Sequence, residues 1–236
     1  MTTRRADLAI IGGGCAGLSL ARALIARKTG LTIEIIEPRT EYPADRTWCF
    51  WASHEHALQP LIEARWSRWR FSDAANAMIE HSSKSLSYQM LPASNFYAAA
   101  LSDIASAPNI TLQLGERVER VESFADYIAL RTAAGTIEAR QVVDTRPERQ
   151  PRAQLFQVFA GTEVKTTTDT FNPDCAGLMM NMGADETGFH FDYVLPLSPR
   201  RALVEWTRFS KHSVRSDQIA AELEHCIGRH VRGPFT

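Results

Sequence analysis

The chain has 236 residues, with 26 Lys+Arg against 27 Asp+Glu and a formal net charge of −1. Hydrophobic residues make up 44% and charged residues 22%, which excludes a disordered or collagen-like chain and leaves apolar material for one or two cored domains. The balanced charge argues against a dedicated nucleic-acid binder, and four scattered cysteines without a C-x-x-C pair argue against a disulfide framework or a structural zinc site, so a reducing, cytoplasmic setting is expected.

In chain order, Leu8-Ala9-Ile10-Ile11 is a short apolar run stopped by glycines, which predicts a buried parallel strand. Leu18, Ala21, Leu24 and Ile25 recur at helical spacing between Cys15 and Arg27, with Gly30 as the stop. Thr32 to Glu37 is a second β-rich run, so the three segments read as a βαβ unit. Pro38 to Pro60 is irregular and carries Asp45-Arg46-Thr47-Trp48-Cys49-Phe50-Trp51. Ser94 to Ala105 predicts a helix with Tyr97, Leu101 and Ile104 on one face. Ile110 to Leu114 alternates like a strand. Tyr127 to Arg131, a turn at Gly135 and Thr136 to Asp144 predict a β-hairpin. After Pro147 and Pro151 the composition shifts to Phe, Thr, Met and Asn, which predicts a domain boundary. Phe189 to Tyr193 and Ala202 to Phe209 read as two strands joined through Leu195 to Pro199. Ser216 to Val231 reads as a final helix with Ile219, Leu223 and Ile227 in register.

Gly12, Gly14 and Gly17 form G-x-G-x-x-G between the first strand and its helix. The first glycine permits a tight turn, the second lets backbone N–H groups approach a pyrophosphate, and the third lets the helix pack on the strand. The helix N-terminus then faces the phosphates with its positive end. Glu37 lies 20 positions past Gly17, at the end of the second strand, where a carboxylate receives ribose hydroxyls. A glycine-rich turn in an unrelated α/β protein is the alternative. The N-terminal fingerprint, the β-rich segment from Ile110 to Asp144 and Glu37 favour FAD, while Arg39 beside Glu37 keeps NADP open. The expected fold is α/β: a Rossmann-like FAD-binding domain of the glutathione-reductase-like kind over residues 1–150, including the D-R-T-W-C-F-W loop, with a β-rich substrate domain over 151–236.

Ile35-Ile36-Glu37-Pro38-Arg39 followed by Asp45-Arg46-Thr47-Trp48-Cys49-Phe50-Trp51 resembles the start of bacterial lycopene β-cyclases. Phe189 to Thr207, with Leu-Pro-Leu-Ser-Pro and Glu205-Trp206-Thr207, resembles that family's second signature. Val142-Val143-Asp144-Thr145-Arg146 and Gln157-Val158-Phe159-Ala160-Gly161 fit in order between them. The glycine part is shared by many flavoproteins; the D-R-T-W-C-F-W and E-x-T parts are far more specific. The resemblance implies reduced FAD, with NAD(P)H as reductant, and closure of lycopene or a related carotene into β-ionone rings by adding one proton and removing another. It implies Glu205 as the acid/base. Arg46 and Asp144 join Gly12, Gly14, Gly17 and Glu37 as expected cofactor-binding residues. The chain departs from the pattern at Trp206, where an acidic residue often stands, and it stops where family members continue, so a fragment or a shortened product is expected.

Glu205 also stands out by its pattern. On a strand it shares a face with Leu203, Thr207 and Phe209, and a carboxyl among apolar neighbours keeps its proton longer, as a general acid requires. An exposed edge glutamate paired with Arg200 or Arg201 is the alternative. Asp45 is the weaker candidate. The Trp48–Trp51 cluster reads equally as aromatic wall for a polyene or as core. Arg65-Trp66-Ser67-Arg68-Trp69-Arg70-Phe71 reads as a plain surface strand, as a nucleic-acid surface, or as a membrane-facing segment anchored by Trp66 and Trp69. No run approaches the roughly 20 apolar residues of a spanning helix, so attachment to a membrane surface from the cytoplasmic side is expected, without nucleic acid. His54 and His56 lack a third metal ligand, and no metal is expected. His190 and Asp192 share a face, either lining a substrate tunnel or facing solvent. The rival functions are a flavin-dependent hydroxylase or related oxidoreductase of an apolar substrate, and an inactive FAD-binding remnant.

Overall fold

The computed structural model describes residues 2–44, 46–147, 155–212 and 214–236. Asp45 and the expected boundary at 150/151 lie outside them. The chain begins with β1 (Thr2–Ile11), α1 (Cys15–Ala26), β2 (Ile33–Glu37), β3 (Thr47–Ala52), β4 (Ala64–Trp66), β5 (Arg68–Ser72), β6 (Met78–Ser82) and β7 (Ser87–Pro92). It continues with α2 (Ala93–Ala105), β8 (Ile110–Leu114), β9 (Val118–Ser123), β10 (Ile128–Thr132) and β11 (Gly135–Asp144). It closes with β12 (Phe156–Lys165), β13 (Cys175–Asp185), β14 (Gly188–Ser198), β15 (Arg201–Ser210) and α3 (Ser216–His230).

These elements form two compact units, one from residues 1–47 and 92–151, the other from 48–91 and 152–236. This division differs from the single cut expected at 150, because 48–91 folds with the C-terminal part. The cause is a long-range pairing: β5 lies parallel to β13, with Arg68 opposite Cys175 and Arg70 opposite Gly177.

The first unit is built on a sheet of order β8-β2-β1-β11-β10-β9. Leu8 to Ile11 pair in parallel with Ile33 to Ile36 on one side and with Gln141 to Asp144 on the other. The expected βαβ unit is therefore present, and β10 and β11 form the expected antiparallel hairpin. Parallel strands covered on both faces are apolar throughout, and Ala9, Ile10, Ile35 and Ile36 are fully buried. Leu18 and Ala21 carry the buried stripe of α1. That helix ends at Ala26, and the chain turns through Lys28 (φ 50°) before reaching Gly30. Helix α2 buries Phe96, Tyr97, Ala100 and Ile104. Its first N–H, from Ala93, is satisfied by the Arg46 carbonyl at 3.0 Å.

The second unit holds a sheet of order β12-β15-β14-β13-β5-β6 and a smaller one of order β3-β7-β4. Strand β14 runs through Leu195-Pro196-Leu197-Ser198, so the expected link is strand, and only Pro199 and Arg200 turn the chain. Proline is tolerated there because the ladder shifts register between Pro196 and Ser198. The expected single strand around Trp66 is broken at Ser67 into β4 and β5. Trp66 itself is 1% exposed and its indole N–H donates to the Pro196 carbonyl at 3.0 Å. It packs with Met90, Leu178 and Leu195, so it is a core residue, and the expectation that it anchors a membrane is overturned. His54 and His56 also part company: His56 Nε2 meets Gln89 Oε1 at 2.8 Å, and His54 Nε2 meets the Lys84 carbonyl at 3.3 Å.

Helix α3 covers one face of the β12-β15-β14 region, where Ile219, Leu223 and Ile227 pack over Val194, Val204 and Trp206 as their spacing predicts. Asp192, 0% exposed, ties the last turn of that helix to β14. It accepts two bonds from Arg229 (2.9 and 3.0 Å) and one contact from His230 at 2.8 Å. Asp192, Cys226 and His230 lie close enough together to resemble a metal site. The guanidinium already spans both carboxylate oxygens, so the arrangement is an ion cluster. Burial pushes the Asp192 carboxyl up, but the bonds from His230 and Arg229 outweigh it and hold it below the usual range.

A depressed folded-state value gives stability that is present above the unfolded value, about 3.9, and lost as pH falls through the folded one. Asp192→Asn is expected to cost about 2–3 kcal/mol at pH 7, towards the low end for a broken buried pair because Arg229 keeps partial contact with water. Urea unfolding of both chains at pH 7 and below pH 3 checks this: the gap should close on acidification.

Candidate functional site

In the first unit, the turn after β1 and the start of α1 open onto a cleft of about 1120 Å³ at the carboxyl ends of the parallel strands, the position where open α/β sheets bind ligands. Gly12, Gly14, Glu37 and Asp144 all line it, joined by Arg39 and Arg146. Gly12 takes φ +102°, a conformation that L side chains rarely adopt, and its N–H donates to the Ile36 carbonyl at 2.8 Å. Gly17 is buried under the turn, and a Cβ there would collide with the Gly12 carbonyl. Its role is close packing, as the motif requires, rather than a place in the cleft wall. Gly14 has an ordinary backbone, and a Cβ built on it meets only Arg39 Nη2, at 3.9 Å. Its open side is space that a phosphate can use. The side chain of Arg46 is exposed and does not line the cleft.

Glu37 is 4% exposed. Its Oε2 accepts the Gly13 N–H at 2.7 Å, and its Oε1 accepts the Arg39 backbone N–H (2.9 Å) and Nε–H (2.8 Å). Arg39 Nη2 reaches Oε2 at 3.3 Å, the longest of the four contacts. Burial pushes this carboxyl up, but the bonds from Arg39 and Gly13 prevail and hold it low, so it is ionised at neutral pH. The Arg39 guanidinium also lies over the rings of Tyr42 and Tyr97, and the Tyr42 hydroxyl donates to the Gly13 carbonyl at 2.9 Å. The sequence pattern alone did not reveal this bracing of the glycine turn. Asp144, beside Ile11 in the ladder, is gripped by Arg146 at 2.6 and 2.9 Å and held low by it.

In the second unit, Glu205 sits in the middle of β15. Its cross-strand partners are Tyr193 on β14 and Gly161 on β12. Directly opposed residues share a face, so Glu205 shares one with Phe191, Tyr193, Leu203, Thr207 and Phe209, as the alternation predicts. The rings of Phe191 and Tyr193 stand edge to face at 5.2 Å, and those of Phe191 and Phe209 lie tilted to one another at 6.2 Å. The carboxyl is half-buried, and the Thr207 hydroxyl donates to its Oε1 at 3.0 Å. Burial pushes its pKa up, and the Thr207 bond opposes that only in part. Neither Arg200 nor Arg201 pairs with it: they bind Asp169 and Glu63.

Cys49, Tyr88 and Tyr193 feel the charge of Glu205, and burial raises all three; the Cys49 thiol is pushed up to about 12. Within the aromatic loop, Trp51 packs on Tyr88 and Trp69, with ring centres at 5.1 and 4.4 Å. Phe50 stands against His56 instead. The Trp48–Trp51 cluster is therefore split by strand alternation between two faces. Tyr88 escaped the sequence reading because it lies in a stretch with no distinctive motif. His190 and Asp192 occupy the opposite face of β14 from Tyr193, and Asp192 is spent on the α3 ion cluster. Among the described residues, no helix is long and apolar enough to cross a membrane.

Residues 7–231 match the family described as lycopene cyclase protein. A lycopene beta-cyclase of Paracoccus sp. (strain N81106 / MBIC 01143) is 27% identical over 233 residues, covering 94% of this chain and 56% of that protein. A lycopene beta-cyclase of Pseudescherichia vulneris is also 27% identical, over 94% of this chain and 57% of that protein. The chain thus spans just over half the length of these relatives. A geranylgeranyl bacteriochlorophyll reductase-like protein of Thermoplasma acidophilum shares the fold with a TM-score of 0.71 and 16% identity, over 97% of this chain and 63% of that one. The p-nitrophenol 4-monooxygenase of Pseudomonas putida DLL-E4 does so at 0.69 and 14%, over 100% and 65%. A flavin-dependent monooxygenase solved with FAD and substrate aligns at 0.66 and 13%, over 95% and 47%. The Rossmann-like α/β expectation with a β-rich second part is met.

A carboxyl whose folded-state pKa is raised weakens the fold once pH exceeds the unfolded value, about 4.3. Glu205→Gln is therefore expected to raise the thermal unfolding midpoint at pH 7, and the gain should vanish below pH 4. Calorimetry at both pH values checks the sign. A lower midpoint at pH 7 would contradict the burial argument.

Proposed function

The chain belongs to the lycopene cyclase family, and from that premise we propose that it carries the cofactor and acid–base parts of a lycopene β-cyclase, closing the linear ends of lycopene or a related carotene into β-ionone rings. The observation that carries this reading is Glu205, a half-buried carboxyl on an aromatic sheet face, with its pKa raised by burial. Adding a proton to a carbon–carbon double bond is helped by an acid whose hold on its proton is strengthened by burial. Glu205 would give that proton, take the later one, or do both. Tyr193, Phe191 and Phe209 offer π-faces that attract a developing carbocation, and Thr207 orients the carboxyl through Oε1.

The cleft in the first unit suits the adenosine diphosphate half of FAD. Gly14 leaves open space beside the N-terminus of α1, and Arg39, Arg117 and Arg146 on the walls complement phosphate charge. Gly12 and Gly17 shape the turn, Glu37 receives the ribose, and Asp144 with Arg146 closes one end, without Arg46. Reduced FAD, maintained by NAD(P)H, would act there without net electron transfer. Because carotenes dissolve in bilayers, the reading includes attachment to a membrane surface, in which buried Trp66 takes no part.

Two outcomes test the reading. Gly14→Val should leave the fold intact, since a Cβ there meets only the end of a flexible arginine, and should cut flavin bound per chain at least about tenfold, a loss of roughly 1.4 kcal/mol or more in affinity. Absorbance of purified proteins at matched circular dichroism reads this, and equal flavin content would remove the cleft assignment. Glu205→Gln keeps shape but cannot donate a carboxylic proton. It should lower ring formation by at least about 100-fold with flavin content unchanged. Pigment analysis in a lycopene-accumulating bacterium measures it, and β-rings from the Gln variant at the normal level would remove Glu205 from the chemistry. Net NAD(P)H oxidation matched to product would instead identify a hydroxylase-type oxidoreductase.

A further inference from the structure

Strand β12 has one position without a side chain, Gly161, and the ladder sets it directly across from Glu205. Its backbone does not need glycine, since it is not among the positions with positive φ. A glycine inside a strand weakens that strand, and often marks a place where something approaches the backbone closely. Here the approaching group is the Glu205 side chain. A Cβ built on Gly161 would stand 3.0 Å from Glu205 Cβ, 3.3 Å from its Cγ and 3.3 Å from Oε2. Directly opposed side chains normally keep their Cβ atoms about 4.5–5.5 Å apart. Strands β12 and β15 therefore approach unusually closely at this pair, and the Glu205 side chain, from Cβ to Oε2, fills the space a side chain at 161 would need. Its two oxygens are distinguished by this: Oε1 is bound by Thr207, and Oε2 lies 3.3 Å from the place a Cβ of residue 161 would take.

We propose that Gly161 is a positioning residue for Glu205: the gap it leaves in β12 seats the carboxyl and sets the direction of Oε2, the oxygen that Thr207 leaves free to carry the proton. This rests on the reading of Glu205 as the acid/base. Any side chain at 161 must push the carboxyl off β12. The carboxyl then swings towards solvent, or it parts from Thr207, and either displacement changes its proton affinity.

The test is made on the whole chain without substrate, so that it reads the carboxyl itself. The Glu205 carboxyl carbon is followed by ¹³C NMR against pH and assigned by its loss in Glu205→Gln. Gly161→Ala is expected to move the midpoint of that titration by roughly half a unit or more, about threefold in proton affinity. The midpoint moves downward if the carboxyl reaches solvent and upward if it loses Thr207. An unchanged chemical shift and midpoint overturn the proposal. If Gly161→Ala does not fold, the double variant Gly161→Ala/Glu205→Gly decides. Removing the glutamate side chain should restore folding to the level of Glu205→Gly alone, and a double variant that stays unfolded overturns the proposal. Ring formation by Glu205→Gln would end the catalytic reading of Glu205, a failure distinguishable from either result because no ring formation is measured here.

Discussion

Strand β15 is held on three sides, by β12 and β14 along its edges and by α3 across one face. Its residues therefore answer alternately to two different surroundings. Ala202, Val204 and Trp206 point into the packed layer under α3 and are fully buried. Leu203, Glu205, Thr207 and Phe209 point to the other face, among the rings of β14. A one-residue slip would exchange the two sets, placing Glu205 under α3 and Trp206 in its stead. The Asp192 cluster with Arg229 and His230 opposes that slip from the neighbouring strand, because its carboxylate cannot leave the helix end without stranding charge. The position of the candidate acid thus depends on an ion cluster on the far side of the same sheet.

The energetic character of the two candidate carboxylates is opposite, although both are screened from water. Glu37 is surrounded by donors and is held ionised; Glu205 has one hydroxyl partner and an aromatic surround, and is pushed towards its neutral form. An ionised carboxylate suits a group that accepts bonds from ribose hydroxyls, and a protonated one suits a proton donor. Environment makes this difference, since the residue type is the same. The glycine turn that opens onto the cleft of the first unit is also braced. Tyr42 and Glu37 grip the Gly13 carbonyl and N–H, and a Cβ at Gly13 would collide with the tyrosine hydroxyl. Preformed turns of this kind spare a ligand part of the ordering cost of binding.

The sequence by itself determined the βαβ unit, the glycine turn, the β10–β11 hairpin and the register of α3, because each rests on short-range periodicity or on φ values that few residues tolerate. It also determined that Glu205 shares a face with Leu203, Thr207 and Phe209, since alternation is a local property of any strand. Only tertiary structure decided the rest. Residues 48–91 join the C-terminal unit through β5 and β13, a pairing across more than a hundred residues that no window of sequence displays. Trp66, which looks like an interfacial anchor beside its arginines, is drawn inside because the Pro196 carbonyl offers its indole N–H a buried partner. Gly161 shows no special backbone need, and its meaning appears only when the ladder lays Glu205 across it. Contacts between residues remote in the chain carry no local signature, and those contacts decide which side chains are buried, which are paired, and in which direction each carboxyl's proton affinity moves.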